Sequence, residues 1–514
     1  MNLKYRIIVV ICLLLAPFCS CSVLSSMMAY TVTLSKTTPL SQQVTQANTT
    51  YIIKQDFDLR GTTLNIPAGC TLKFDGGSLR NGNLKGNGTV VALDNDHPAL
   101  DDVILSGSFS AKSFPINAYK TNKLDYFYGF LEAFSGTELY LTGDYSVTEY
   151  LGQSDGATPQ RLNIDGKGHR LTLYSFGAYK VDDGCMKDIT IEATNNITPK
   201  NKWKSDKFNF GIVGSSERSS LSLQNVTFVK ATGYAYIRGF KNLEIKNCKE
   251  DGSYFFVYDC DNVSFSNNEI VNAANGYYSI GRMTEKGQVK IYDNVFSNIS
   301  GGGAILSGGL KYNVSICDNV FDHVGGGGAM KSCINIHPRG TILVSGNRIV
   351  ANKGASSLDI DAARSEYYSD GTTVTVRDNV IENVPGDESV HGMALVGLAK
   401  LYVKNNTISN QKFYFWDTPY MEFTGNTVTF TSDLGSSAEI GSMSTHETTE
   451  AKDYQHTYKN NVYNLPASKG AAHIRYQSKA PVKITGKGNT YSNPVDYVDQ
   501  YKKFEASGDI RIYK

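Results

Sequence analysis

The sequence predicts an all-β solenoid, and three observations carry that reading. A short phrase recurs between Asn242 and Asn489: two alternating apolar residues, a polar pair usually ending in Asn, then another apolar residue. It reads NLEIKNC, NVSFSNNEI, QVKIYDNVF, NVSICDNVF, TILVSGNRI, TVTVRDNVI, KLYVKNNTI and YMEFTGNTV. Recurrence at roughly 20–35 residues marks a repeat architecture, in which each unit buries its apolar face only against its neighbours. Second, the apolar residues alternate with period two, which argues strands rather than helices. Third, the chain holds 48 Gly but only 13 Pro, as expected of many tight turns rather than of linkers.

At 514 residues the chain is long enough for several domains or one long solenoid. Its 50 basic and 49 acidic residues balance, so nothing draws it to nucleic acid. Near the N-terminus, Lys4 and Arg6 precede an apolar run from Ile7 to Pro17 that is too short to span a bilayer comfortably. This reads as a targeting segment. The following Phe18-Cys19-Ser20-Cys21 resembles the lipobox of bacterial lipoproteins, with Phe18 where that motif usually has Leu. The resemblance implies that residues 1–21 carry the signal and that Cys21 is the lipid-bearing first mature residue. The protein would then be exported to the outer membrane or cell surface of a Gram-negative bacterium, touching membrane through its lipid anchor only. Cleavage after Ala29, giving a periplasmic protein, is the alternative. Residues 22–50 are Ser/Thr-rich and read as a tether.

From Tyr51 short strands begin, broken by Gly or Asn, and residues 51–115 read as irregular rungs or a small β subdomain. A helix is expected over 123–134, where Leu124, Phe127, Leu131 and Phe134 share one stripe. Then come GTELYLTGDYSV and RLNIDGKGHRLTL. This helix-then-strands phrase resembles the start of pectate-lyase-like proteins. The resemblance implies a right-handed parallel β-helix of three-stranded coils over 116–514, with the helix capping its first rung. In each coil the phrase closes on a turn holding Asn268, Asn294, Asn319, Asn347, Asn379, Asn406, Asn426, Asn461 or Asn489, with Cys248 in the first. Asn tolerates left-handed backbone angles, and its amide can bond neighbouring coils to form a ladder. These Asn residues are structural. Six cysteines follow Cys21 without metal-type spacing. They read as small buried apolar residues, with Cys248 and Cys260 as the one pair to test for a disulfide.

Chemistry is expected on the strand that precedes each phrase. In the family that the chain resembles, the cleft lies over this first-strand sheet. If Ile334, Ile336, Leu358 and Ile360 point inward, then Asn335, His337, Asp359 and Asp361 point outward and form one polar patch. Two carboxylates at i and i+2 have Cα atoms roughly 6.5 Å apart, a spacing that reaches the acid–base separations of glycoside hydrolysis. Their alternatives are solvated surface acids or a calcium site. His337 could act as base or substrate ligand. Outward residues on other coils supply aromatic faces and polar groups for sugar rings: Tyr236, Arg238, Tyr258, Tyr414, Trp416, Glu439, His473 and Arg475. Arg339, and Arg364 in the loop after the Asp pair, could bind a uronate carboxylate.

Three functions are open. The leading one is a glycoside hydrolase cutting a polysaccharide, with Asp359 and Asp361 as catalytic pair, His337 in support and no cofactor. The second is a lyase acting on a uronate-containing glycan, with calcium as a cofactor. The third is a glycan-binding surface protein without catalysis. Motifs of polygalacturonases are missing as such, and no zinc motif, P-loop or nucleophile elbow occurs.

Overall fold

The computed structural model describes residues 30–94, 97–195, 209–215, 219–229, 235–252, 255–273, 278–281, 287–300, 302–307, 313–326, 332–337, 339–352, 354–362, 371–383, 392–432, 439–445, 453–466 and 471–513. Cys21 with the targeting segment, and Arg364, lie outside the described residues. The chain divides into two compact units, Met1–Lys167 and Gly168–Lys514.

In the first unit, parallel strands Thr49–Ile53, Thr71–Phe74, Leu79–Leu93 and Leu100–Ser110 pair in succession. Tyr30–Thr33 pairs with Thr49–Ile53, so strand structure starts inside the stretch expected as a tether. The β-branched run in Tyr30–Thr33 suits an edge strand. The expected helix spans Leu124–Ala133 and packs on the strand Leu100–Ser110. Leu124, Phe127, Leu131 and Phe134 are all buried. Phe130 joins them, stacked on Tyr119 with centroids 4.6 Å apart. Asp125 in the first helical turn accepts the backbone N–H groups of Leu151 (3.0 Å) and Ser154 (2.6 Å).

The second unit is a right-handed parallel β-helix. Its first-strand sheet holds 14 parallel strands among the described residues, from Phe176–Val181 to Arg511–Ile512. The ladder strands and the short strands after them stack in the same way. Inward columns are apolar: Ile334, Leu358, Met393 and Phe413 lie in register on consecutive strands and are fully buried. The stack ends with Val495–Asp499 and Phe504–Gly508, followed by Arg511–Ile512, which pairs on Val495–Asp499 one rung further.

The Asn ladder is continuous. In each coil one amide oxygen accepts both the backbone N–H and the Nδ2 of the previous ladder residue. Asn268 bonds Asn294 Oδ1 in this way at 2.9 Å twice, and the pattern repeats up to Asn489. The Nδ2 also donates to a strand carbonyl of the preceding coil, as from Asn406 to Val376 at 2.9 Å. At one end Cys248 supplies only its N–H to Asn268 Oδ1 (2.8 Å), while its thiol points at the Leu223 carbonyl, 3.5 Å away. At the other, the Asp509 carboxylate accepts from Asn489 N (2.7 Å) and Nδ2 (2.8 Å).

Two expectations change here. The left-handed residue of the turn is the one before each ladder Asn: Asn267, Asp293, Asp318, Asp378, Asn405 and Asn460 have φ of 53–57°. The ladder Asn itself keeps ordinary angles, because its N–H and amide must both aim along the stack. Gly346 fills the left-handed position before Asn347 (φ 68°), where a Cβ would come within 2.1 Å of Asp318 Oδ1. Second, Cys248 and Cys260 form no disulfide. Cys248 is committed to the ladder, and the buried Cys260 thiol donates to the Tyr258 carbonyl at 3.5 Å.

The interior of the last coils is polar in a different way. His456 takes an inward position and is buried. Its Nε2 donates to the Thr418 carbonyl at 2.9 Å, so Nδ1 is left to accept from the Tyr476 hydroxyl at 3.3 Å. Tyr476 and Tyr458 are joined at 3.0 Å. Burial pushes the His456 pKa down from 6.5 to about 4. The unfolded chain therefore binds the proton first as pH falls, and stability drops between those two values. One bound proton costs about 1.4 kcal/mol for each pH unit crossed in that window, roughly 3 kcal/mol in all. His456→Gln is expected to shrink the difference in urea midpoint between pH 7 and pH 4.5; an unchanged difference would show that other groups set the acid limit.

Candidate functional site

The parity expected for the first-strand sheet holds. Ile334, Ile336, Leu358 and Ile360 are buried inside, and Asn335 pairs in register with Asp359 on the outward side. The site is far less open than alternation alone implies. Asn335 is 0% exposed, and Asp359 and Asp361 are 8% exposed each. Asn335 Nδ2 donates to Asp359 Oδ2 at 3.1 Å. The Oδ1 of the same amide is buried and takes no hydrogen bond among the described residues. An unmet buried acceptor costs about 1–3 kcal/mol, so a donor supplied by a ligand would be favourable there.

His337 is partly exposed, and its Nδ1 lies 3.1 Å from the Asp361 carbonyl. A carbonyl can only accept, so Nδ1 carries the hydrogen. The neutral ring then keeps its lone pair on Nε2. Arg339 sits partly exposed in the turn that follows. These residues come from two adjacent coils, and strand pairing alone brings them together.

The other expected residues spread along the sheet rather than surround this centre. Tyr414 and Trp416 lie two strands above Asp359 and Asp361, roughly 10 Å away. Their rings meet edge to face at 6.3 Å. Arg475 is two strands further and forms an ion pair with Glu439. Burial, and then the Glu439 carboxylate, raise the Tyr414 pKa above its ordinary value. His473 pairs with Glu439 in register and faces the Tyr513 ring at 5.8 Å. On the lower side, Tyr258 is four strands from Asp361, roughly 20 Å. Arg238 lies over the Tyr258 ring, 4.9 Å from its centroid, and pairs with Asp259 at 3.0 Å.

Two corrections follow. Tyr236 is no open platform: it is 5% exposed, packed against Tyr179 and Val213 and stacked on Phe256 at 5.9 Å. The flanking residues expected on other coils are not gathered round this centre either: from Tyr236 to Arg475 they spread over a track of ten strands, roughly 40 Å long. Sequence order carries no measure of height along the stack, because loops of any length join coils of one thickness.

A groove on another face has no counterpart among the expected residues. With a volume of about 560 Å³, it lies on the ladder-strand face of the lower coils, lined among others by Ser222, Glu244, Ser264 and Tyr292. Its signal in the sequence is serine at Ser222 and Ser264, two coils apart, in the outward column where other coils carry Leu343 or Tyr402. Among the described residues, no group of three or more His, Cys, Asp or Glu is placed to hold a metal ion. Comparison of the chain with protein-family models, with curated proteins and with solved structures finds no match.

Proposed function

We propose that this protein is an exported, pectate-lyase-like β-helix that binds a polysaccharide along its first-strand sheet and cleaves it as a glycoside hydrolase. One observation carries the reading: two outward yet largely buried carboxylates, Asp359 and Asp361, on one strand, with an amide bonded to the first and the His337 ring held on the backbone carbonyl of the second. Such a pair can divide the work of hydrolysis, one group protonating the leaving oxygen and the other attacking or activating water. Asp359, oriented by Asn335, suits the attacking or water-activating role. Asp361 then serves as acid. His337 Nε2 accepts a substrate hydroxyl. Tyr414 and Trp416 offer ring faces to sugars further along, and the length of the track suits an extended chain.

The His337 tautomer also favours a second reading. A free Nε2 lone pair can take the proton beside a uronate carboxylate, with Arg339 neutralising that carboxylate, and the reaction is then an elimination. Calcium could join Asp359 and Asp361 in that case, while the proton transfer itself rests on His337.

Incubation with a panel of neutral and uronate-containing polysaccharides tests both. Hydrolysis yields new reducing ends without the ultraviolet absorbance of an unsaturated sugar; elimination yields both. Loss of cleavage in the double variant Asp359→Asn, Asp361→Asn is expected. Full cleavage by that variant would remove the Asp pair from the mechanism.

A further inference from the structure

The groove on the ladder-strand face is built by consecutive coils in which the short Ser222 and Ser264 alternate with Glu244 and Lys290 in the outward column. Cys185, Ser222, Glu244, Ser264 and Lys290 follow one another in a single register column on five neighbouring strands. Ser222 and Ser264 leave the floor low. Glu244 is folded flat against it: its Oε2 accepts from Ser222 Oγ at 2.9 Å and from Gln224 Nε2 at 3.1 Å. Both of these bonds fall on Oε2, which leaves Oε1 to face a ligand.

A second column of side chains forms the rim. Asn262 Nδ2 donates to Asn242 Oδ1 at 3.1 Å, and Asn242 Nδ2 reaches Ser220 Oγ at 3.5 Å. These bonds fix the amides in a row and leave Asn262 Oδ1 able to accept. Tyr292 closes the upper end, its phenol pKa lowered chiefly by the neighbouring hydroxyls of Ser266 and Ser264.

We infer that this groove is a second carbohydrate-binding site, which holds a short segment of an extended glycan along the stacking direction of the coils. The side chains offer hydroxyl, amide and carboxylate groups at successive rungs about 4.8 Å apart, a spacing close to the length of one sugar ring. Their mutual bonds hold them in place before binding, which lowers the ordering cost. A polyanion gains little here, since Asp183 and Glu244 face a single Lys290. A peptide adding as a strand finds no edge, because every strand beneath the groove is paired on both sides. The site shares a ligand class with the proposed function but uses none of its residues.

The test is gel retardation of the full chain by single soluble polysaccharides, neutral and uronate-containing, in the Asp359→Asn, Asp361→Asn background that silences cleavage. At least one polysaccharide is expected to retard this protein. Adding Ser264→Trp, which fills the floor, should weaken the retardation about tenfold, equivalent to about 1.4 kcal/mol. Glu244→Gln, which keeps the shape, should weaken it in the same direction and covers the case in which the Trp variant misfolds. Retardation unchanged by both substitutions, or no retardation by any polysaccharide, overturns the groove site. Loss of retardation on moving from wild type to the Asp double variant, with no effect of groove variants in wild type, also overturns it and leaves the first-strand site standing.

Discussion

Asp359→Ala and Asp361→Ala are each expected to lower polysaccharide cleavage by roughly 100-fold or more, the usual scale for removing a positioned acid or base. The two should then part company. If Asp359 attacks or activates water, the cavity left in Asp359→Ala admits a small anion, and azide should restore part of the turnover. Asp361→Ala should respond weakly to azide. It should recover when the substrate carries a leaving group that departs without protonation. Rescue in the opposite order would exchange the two roles. Asn335→Ala should act through Asp359 and cost less than Asp359→Ala, since it frees the carboxylate without removing it. An equal loss in kcat for Asn335→Ala would mean that the amide itself touches substrate.

Asn406→Ala is expected to destabilise the surrounding coils by about 3–5 kcal/mol. The substitution deletes Oδ1, which accepts from Asn379 N at 3.0 Å and Nδ2 at 2.9 Å, and deletes the donor that reaches Val376 O and Asn426 Oδ1, each at 2.9 Å. Asn379 and Val376 are buried, so their groups are left unmet at about 1–3 kcal/mol each. Coils contact only their neighbours, so the loss should be local. Hydrogen exchange should accelerate in the strands Thr373–Arg377, Lys400–Lys404 and Tyr420–Thr424 and stay close to wild type near Phe265. Uniform acceleration through the unit would show that it unfolds as one block.

The ladder and the inward parity were legible because both repeat. A single Ile334 or Asn347 says little, but the same residue type at the same place in coil after coil fixes the face it occupies. What failed to show was whatever does not repeat. The left-handed position falls one residue before the ladder Asn, a distinction the phrase hides because it holds two adjacent polar residues that both tolerate a turn. Burial of Asn335 and Asp359 depends on what lies over them, which alternation does not encode. Tyr236 looked like a platform because its type suits sugars; its neighbours Tyr179 and Val213 come from other coils. The groove leaves no mark on any single residue, since Ser222 and Ser264 are each an ordinary outward position. Their meaning lies in the column they share.

The ladder also has a start and a stop written in its chemistry. Cys248 offers an N–H upward but has no amide oxygen to receive one from below, and Asp509 receives two bonds but has no side-chain N–H to pass on. A stack of parallel coils could in principle grow without limit, each coil templating the next or a second molecule docking on the last. With a carboxylate in place of the amide at Asp509, the side-chain ladder has no N–H to hand on, and the last strand, Arg511–Ile512, takes its register from strand pairing. The ladder thus begins inside the stack, since parallel coils continue below Cys248 without it, and it ends on the carboxylate of Asp509.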